Sequence, residues 1–399
     1  MNYQLWRKDF PMLNNTEEDK KFIYMDNAST TLKPQIVIDA VNKFYTTYTT
    51  NISRSSHFLS EEVFFLFEQT REKIASFINA KKNEIVFTYN CTDSINLVAS
   101  GLELNKNDEV ILSVLEHHSN FLPWQARAQL KIIKTDQNGL IDLEHLRDQI
   151  TNKTKLLSLT YLSNVTGNVQ PIKEAIAIAR EKGILCMVDA AQAVGHIPVD
   201  VFNLDCDFMA FSAHKMLGPS GVGVLYGKSE LLEKVHPSRC GGGMANKVLL
   251  DNISYLPVPS KYEAGTLNIE GILGFNSAID YINTIGIDNI CNHLDMLESY
   301  CKTQLESTGL VTFPFAFAED HAPIFSFRPN NPKLRIEYIA NVLSDVHGIA
   351  LREGYQCAQP LYVANGLDGS IRVSLYLYNT FNEIDALINA LYDMRILLS

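Results

Sequence analysis

Five short apolar runs in this 399-residue chain each end in side chains that can do chemistry. Residues 85–89 run into Thr92 and Asp93, and 110–114 into Glu116, His117 and His118. Residues 156–162 run into Ser163 and Asn164, 184–188 into Asp189 and Gln192, and 208–211 into Ser212, His214 and Lys215. If the runs are strands of one open parallel sheet, their carboxyl ends border one crevice, where such sheets bind ligands. A lysine there can form a Schiff base with an aldehyde. A carboxylate facing a pyridine nitrogen keeps that ring protonated, and a protonated ring is an electron sink for carbanion chemistry. An aromatic side chain can stack on the ring face. A helix start at Thr92-Asp93, with the Ser212 hydroxyl, suits a phosphate. Together these are the requirements of pyridoxal 5'-phosphate.

Each residue also has a plainer use. An isolated Asp at a strand end most often caps the next helix, most lysines face solvent, and histidines at loop starts are commonly just satisfied polar groups. Only the convergence on one crevice carries the argument. Gly241-Gly242-Gly243 lacks the strand–glycine–lysine context of a phosphate loop and reads as a turn.

The elements that must position these groups are legible as alternation. Besides the five runs, 222–226 reads as a strand, and 60–79, 140–150, 172–182 and the stretch from Asp93 onward read as helices, the first with a serine start and acids in its opening turn. Nearly continuous apolar strands imply a sheet covered on both faces. Alternating strands and helices imply a mainly parallel α/β sheet with right-handed crossovers. The last 120 or so residues are mostly helical, with strands at 324–327 and 371–375, and read as an α+β unit.

Composition sets the outer bounds. Hydrophobic residues are 46% and charged residues 20%, ordinary for a folded protein, and a net charge of -11 disfavours a nucleic-acid partner. No apolar run is long enough to span a bilayer, and Met1 to Phe10 shows no leader pattern, so the expected location is the cytoplasm with no membrane partner. Seven widely spaced cysteines without a C-x-x-C pair suggest neither a disulfide framework nor a zinc site, and no metal is expected.

Asp-Ala-Ala-Gln (189–192), Ser-Ala-His-Lys (212–215) and Gly-Pro-x-Gly-x-Gly-x-Leu-Tyr (218–226), with 26 residues from acid to lysine, resemble class V aminotransferase-like pyridoxal phosphate enzymes. Asp205-Cys206-Asp207-Phe208, Glu116-His117-His118, Tyr262-Glu263-Ala264-Gly265-Thr266 and Arg352-x-Gly-x-x-Cys357-Ala-Gln-Pro-Leu361 are similar to SUF-type (group II) cysteine desulfurases, and the likeness runs from Asp9 to Thr380. The resemblance implies fold type I: a mainly parallel seven-stranded sheet in a large domain over 21–280, a smaller α+β domain over 281–399 carrying Cys357 and Arg372, and an N-terminal arm over 1–20 packing with the small domain.

It also implies roles. Lys215 would hold the cofactor and move the Cα proton. Asp189 would pair with the pyridinium nitrogen and His117 would stack on the ring. Gln192 would hydrogen-bond the ring hydroxyl, with Asn164 near that hydroxyl or the substrate carboxylate. Thr92, Asp93, Ser212 and His214 would serve the phosphate, and Thr266 would reach the phosphate of a neighbouring subunit in a homodimer with shared sites. Arg372 would clamp the carboxylate of L-cysteine, and Arg352 would line the approach to Cys357. The Cys357 thiolate would take the substrate sulfur as a persulfide, release alanine, and pass the sulfur to a protein acceptor, as in iron–sulfur cluster assembly. The alternatives are a selenocysteine or other C–S lyase, a class V enzyme working without Cys357, and a non-catalytic scaffold. Three segments differ from the family pattern. Tyr355-Gln356 replaces His-His before the cysteine. Ser53-Arg54-Ser55-Ser56-His57 replaces His-Arg-Gly-x-His. Asn90-Cys91-Thr92-Asp93 replaces Gly-Thr-Thr-Glu.

Overall fold

The computed structural model describes residues 3–14, 22–52 and 57–398. Positions 53–56 of the altered entrance motif, and 1, 2 and 15–20 of the expected arm, lie outside the described residues. Seven strands form the central sheet: β1 (Ile85–Thr88), β2 (Glu109–Ser113), β3 (Gln129–Ile133), β4 (Thr154–Thr160), β5 (Leu185–Asp189), β6 (Phe208–Ser212) and β7 (Gly223–Gly227). Their spatial order is β1-β7-β6-β5-β4-β2-β3, and only β7 runs antiparallel to the other six. The sheet is therefore mainly parallel and seven-stranded.

The apolar runs are divided residue by residue between two cores, as a period of two requires. Ile85, Phe87, Ile111, Leu157, Leu159, Val188, Met209 and Phe211 join the core on one face, where the helices α1 (Phe58–Phe77), α3 (Ile172–Arg180) and α4 (Ile269–Ile285) pack. Val86, Val110, Leu112, Leu156, Met187, Phe208 and Ala210 join the other, under α2 (Cys91–Gly101) and Trp124. β3 escaped the sequence reading. It is one of the two sheet edges, and unlike the buried edge strand β1 its side chains are mostly half-exposed, and Gln and Lys interrupt its apolar residues. Helix starts follow their caps. The His57 ring accepts the Ser60 N–H, so α1 begins at Phe58, two residues before the expected serine. Asn90 caps α2 by accepting from Asp93 N–H at 2.9 Å.

After α4 the chain turns at Gly286, whose φ of +87° suits glycine, into α5 (Ile287–Thr308). A second, four-stranded antiparallel sheet contains β8 (Val311–Thr312), β9 (Ile324–Pro329), β10 (Arg352–Gly354) and β11 (Ser370–Ser374) in the order β8-β9-β11-β10. With α5, α6 (Ile336–Asp345) and α8 (Phe381–Asp393) it encloses a further core around Leu297, Phe325, Phe327, Leu343, Val373 and Leu387. Ile23 and Met25 belong to this core although they lie far away in sequence. From the N-terminal segment, Arg7 reaches Tyr378 O and Glu383, both at 2.9 Å, and Phe10 packs on Tyr281 and Tyr378.

Candidate active site

The strand ends border a cavity of about 510 Å³ lined by Thr92, His117, Asn164, Asp189, Gln192, Ser212, His214, Lys215, Arg352, Cys357 and Arg372, among others. Eleven of the thirteen residues expected from sequence thus share one cavity. Asp93 does not line it. Its carboxylate turns away, accepting Tyr89 N–H at 2.9 Å and pairing with Arg239 at 3.0 Å. The Asp93 side chain therefore shapes the turn before α2. Thr266 lines a separate cavity with Asn51, Arg71 and Glu263, and accepts from Asn51 at 3.3 Å.

Lys215 ends a short turn that leaves β6. Burial pulls its amine below the ordinary lysine range, against the opposing charge of Asp189. That favours the neutral amine, the form that forms Schiff bases and accepts protons. Asp189 is the last residue of β5, in register with Thr160 of β4 and Ala210 of β6. Its Oδ1 accepts from Ala191 N–H at 3.0 Å and from the Cys91 thiol at 3.4 Å. Burial raises its pKa; a cationic ring nitrogen is the partner that would reverse this. His117 is pushed down to about 3 by burial and by the charges of Lys215, His118 and Arg372. Its Nδ1 accepts Ser119 N–H at 3.1 Å, so the neutral ring carries its proton on Nε2. A neutral imidazole stacks on a ring without adding charge.

On the phosphate side, Ser212 Oγ accepts Cys91 N–H at 2.7 Å and Thr92 Oγ1 meets Ser119 Oγ at 2.7 Å. The backbone at Asn90 comes so close to Gly223 that a Cβ there would lie 2.5 Å from Asn90 Cα. The turn before α2 is thereby pressed onto β7. Burial and Lys215 also hold the His214 ring down at about 4. Two buried polar atoms of cavity residues lack a partner: Gln192 Oε1, whose amide nitrogen donates to Ala28 O at 2.6 Å, and Arg372 Nε. A buried carboxylate, a depressed lysine, a neutral imidazole, a helix N-terminus with hydroxyls, and unmet polar atoms fit pyridoxal 5'-phosphate.

Cys357 stands between β10 and α7 (Gln359–Ala364) and is exposed, whereas Cys91, Cys186, Cys206 and Cys301 are buried. Gln356 and Cys357 both have left-handed backbone, φ +44° and +57°. The loop is tied to the strand ends: His118 N–H donates to Cys357 O at 2.7 Å and Asn164 Nδ2 to Gln356 O at 2.9 Å. The Asn164 amide nitrogen thus serves this loop. Arg372 donates to Asn164 O at 3.0 Å and to Asp26 Oδ1 at 2.9 Å. Arg352 also grips Asp26. The sequence reading missed Asp26, Cys91 and Ser119. Asp26 follows the apolar run 22–25 and so carried the same strand-end signal as the others, but the strand there is only Ile23–Tyr24 and stands outside the central sheet, with no alternation of strands and helices to mark it.

The family model for aminotransferase class V matches residues 23–387. A probable cysteine desulfurase from Streptomyces coelicolor is 40% identical, with 98% of this chain and 96% of that protein covered. A cysteine desulfurase from Haloferax volcanii is 35% identical over the same shares. Among solved structures, an apo cysteine desulfurase from Thermococcus onnurineus superposes with a TM-score of 0.91 at 35% identity, covering 99% of this chain and 98% of that one. A cysteine desulfurase from Escherichia coli gives 0.89 at 34%, with both chains fully covered. The chain belongs to the class V aminotransferase family of pyridoxal phosphate enzymes, among its cysteine desulfurases.

Proposed function

We propose that this chain converts L-cysteine to L-alanine, carrying the sulfur as a persulfide on Cys357 and handing it to a protein acceptor in the manner of the SUF-type enzymes. One observation carries the reading: the Lys215–Asp189–His117 set, with Asp189 buried and the other two half-buried, and an exposed cysteine border the same cavity. When bound, pyridoxal 5'-phosphate supplies the aldehyde and a protonated ring that takes up negative charge from the substrate Cα. Asp189 would keep the ring nitrogen protonated. The neutral His117 ring would stack against the cofactor ring. Thr92, Ser212 and His214 would hold the phosphate, and Gln192 the ring hydroxyl. Lys215 accepts the Cα proton as a neutral amine. Arg372 offers its planar fork to the substrate carboxylate. The Cys357 thiolate attacks the substrate sulfur, an S–S bond forms as Cβ–Sγ breaks with the bonding electrons left on carbon, Cβ takes a proton, and Lys215 returns the proton to Cα to give alanine.

Because Cys357 is exposed at the mouth of the cavity, its sulfur is presented to a partner. We read Thr266, on its separate cavity, as the residue that meets the phosphate of a second copy in a homodimer. Seven cysteines without a disulfide suit a reducing compartment, the cytoplasm. Cys357→Ala tests the reading. Alanine formed from L-cysteine should fall at least about 100-fold, with the lysine-bound cofactor absorbance unchanged. Full turnover by this variant would refute the persulfide route. Pyruvate and ammonia as products would point to β-elimination instead.

A further inference from the structure

We propose that Asp26 is a positioning residue for substrate recognition: it holds the Arg372 guanidinium in the orientation that receives the substrate carboxylate and couples it to Arg352 beside the Cys357 loop. The proposal rests on the reading of Arg372 as the carboxylate-binding group.

Asp26 does not line the cavity, and its carboxylate reaches it through the two arginines. Its Oδ1 accepts from Arg372 Nη2 at 2.9 Å, its Oδ2 from Arg352 Nη2 at 2.8 Å, and both oxygens lie 3.2 Å from Arg352 Nε. The Arg372 side chain is 2% exposed and that of Asp26 12%, whereas Arg352 is 47% exposed. One arginine is therefore deep, the other stands at the opening, and one carboxylate joins them. The backbone sets this geometry. Asp26 bridges Ser374 in parallel, and Ser374 and Arg372 lie two apart on β11, on one face of the strand. Ser374 N–H donates to Met25 O at 2.8 Å and Ala28 N–H to Ser374 Oγ at 2.9 Å, which pins the segment on both sides of Asp26.

The charges and donors define what the cluster accepts. Two guanidiniums and one carboxylate leave one positive charge, enough to match one substrate carboxylate. A guanidinium has five N–H donors. In Arg372, Nη2 goes to Asp26, Nη1 goes to Asn164 O, and Nε is buried without a partner. Holding the two Nη groups from opposite sides fixes the plane of the fork and leaves its remaining donors for a carboxylate. A loose arginine would have to be ordered by the substrate, which costs affinity. Recognition in this arrangement is specific to the carboxylate and indifferent to the amine.

The test uses the holoenzyme and two amines that carry no sulfur to transfer, with the cofactor absorbance as the binding readout. L-alanine carries the carboxylate; ethylamine is the same skeleton without it. Asp26→Asn should weaken L-alanine binding about tenfold and leave ethylamine unchanged, and Asp26→Glu should recover part of the loss. Equal weakening of both amines would mean a general structural role and would overturn the proposal. So would unchanged or tighter L-alanine binding. Arg372→Lys separates the two claims. If it weakens L-alanine while Asp26→Asn does not, the carboxylate reading stands and the role of Asp26 falls. If Arg372→Lys leaves L-alanine binding intact, both fall.

Discussion

At the scale of single residues, the most informative change from the family pattern is Gln356, which stands where an imidazole is usual. It is buried, and its side chain is fully engaged: Nε2 donates to Ser370 O at 3.0 Å and Oε1 accepts from the Tyr362 hydroxyl. Gln356 is therefore an anchor and not a base. It pins a loop in which two consecutive non-glycine residues adopt left-handed backbone, a conformation that neighbours must hold in place. Gln356→Ala keeps the same backbone cost, since neither residue is glycine, and removes only the anchor. Persulfide formation on Cys357 should then slow about tenfold, as a misplaced reacting group does, while the cofactor absorbance stays as in wild type. An unchanged rate would show that His118 N–H and Asn164 hold the loop unaided.

At the scale of elements, the end of α8 shows how one helix start joins distant parts of the chain. Thr380 and Glu383 form a reciprocal capping box: Thr380 N–H donates to Glu383 Oε2 at 2.9 Å, and Glu383 N–H to Thr380 Oγ1 at 3.3 Å. Glu383 also takes Arg7 from the N-terminal segment and Asn379. Thr380→Ala removes one half of the box and should lower unfolding free energy by about 1 kcal/mol, read as a lower urea midpoint with an unchanged slope. The strands of the central sheet were legible in the sequence because each buries both faces and so reads as an unbroken apolar run. The edge strand β3 was not, because half-exposed positions tolerate Gln and Lys. The residues around the cavity were legible where a long strand delivered them. Asp26 was not, since a two-residue strand at Ile23–Tyr24 leaves almost no pattern, and its partners lie more than 300 positions away. The turn of Asp93 toward Arg239 was equally hidden, because spacing alone does not say which way a side chain in the first turn of a helix points.

At the scale of the whole molecule, building a cofactor cavity at the junction of the two sheets commits several ionisable groups to burial, and this sets how folding depends on pH. His117 is held down at about 3, His196 at about 4 and His214 at about 4, each chiefly by burial. Their ordinary value is 6.5, so between about pH 6.5 and 4 the unfolded chain binds protons that the folded one refuses. Stability that is fully present above pH 6.5 is therefore lost as pH falls through this window. Glu116 works in the opposite sense. Burial raises it to about 8, so the folded state holds a proton the unfolded one releases, and its contribution fades as pH rises through that value. His196 is the group to remove, because it does not line the cofactor cavity: it packs against Tyr376 at 4.6 Å and its Nδ1 has no partner. His196→Asn deletes one proton from the balance. Its acid limb should be shallower than that of wild type by up to about 1.4 kcal/mol per pH unit, measured as unfolding free energy at steps between pH 6.5 and 4.5. Parallel limbs for the two proteins would mean that His196 takes up its proton in the folded state and that burial does not hold it neutral.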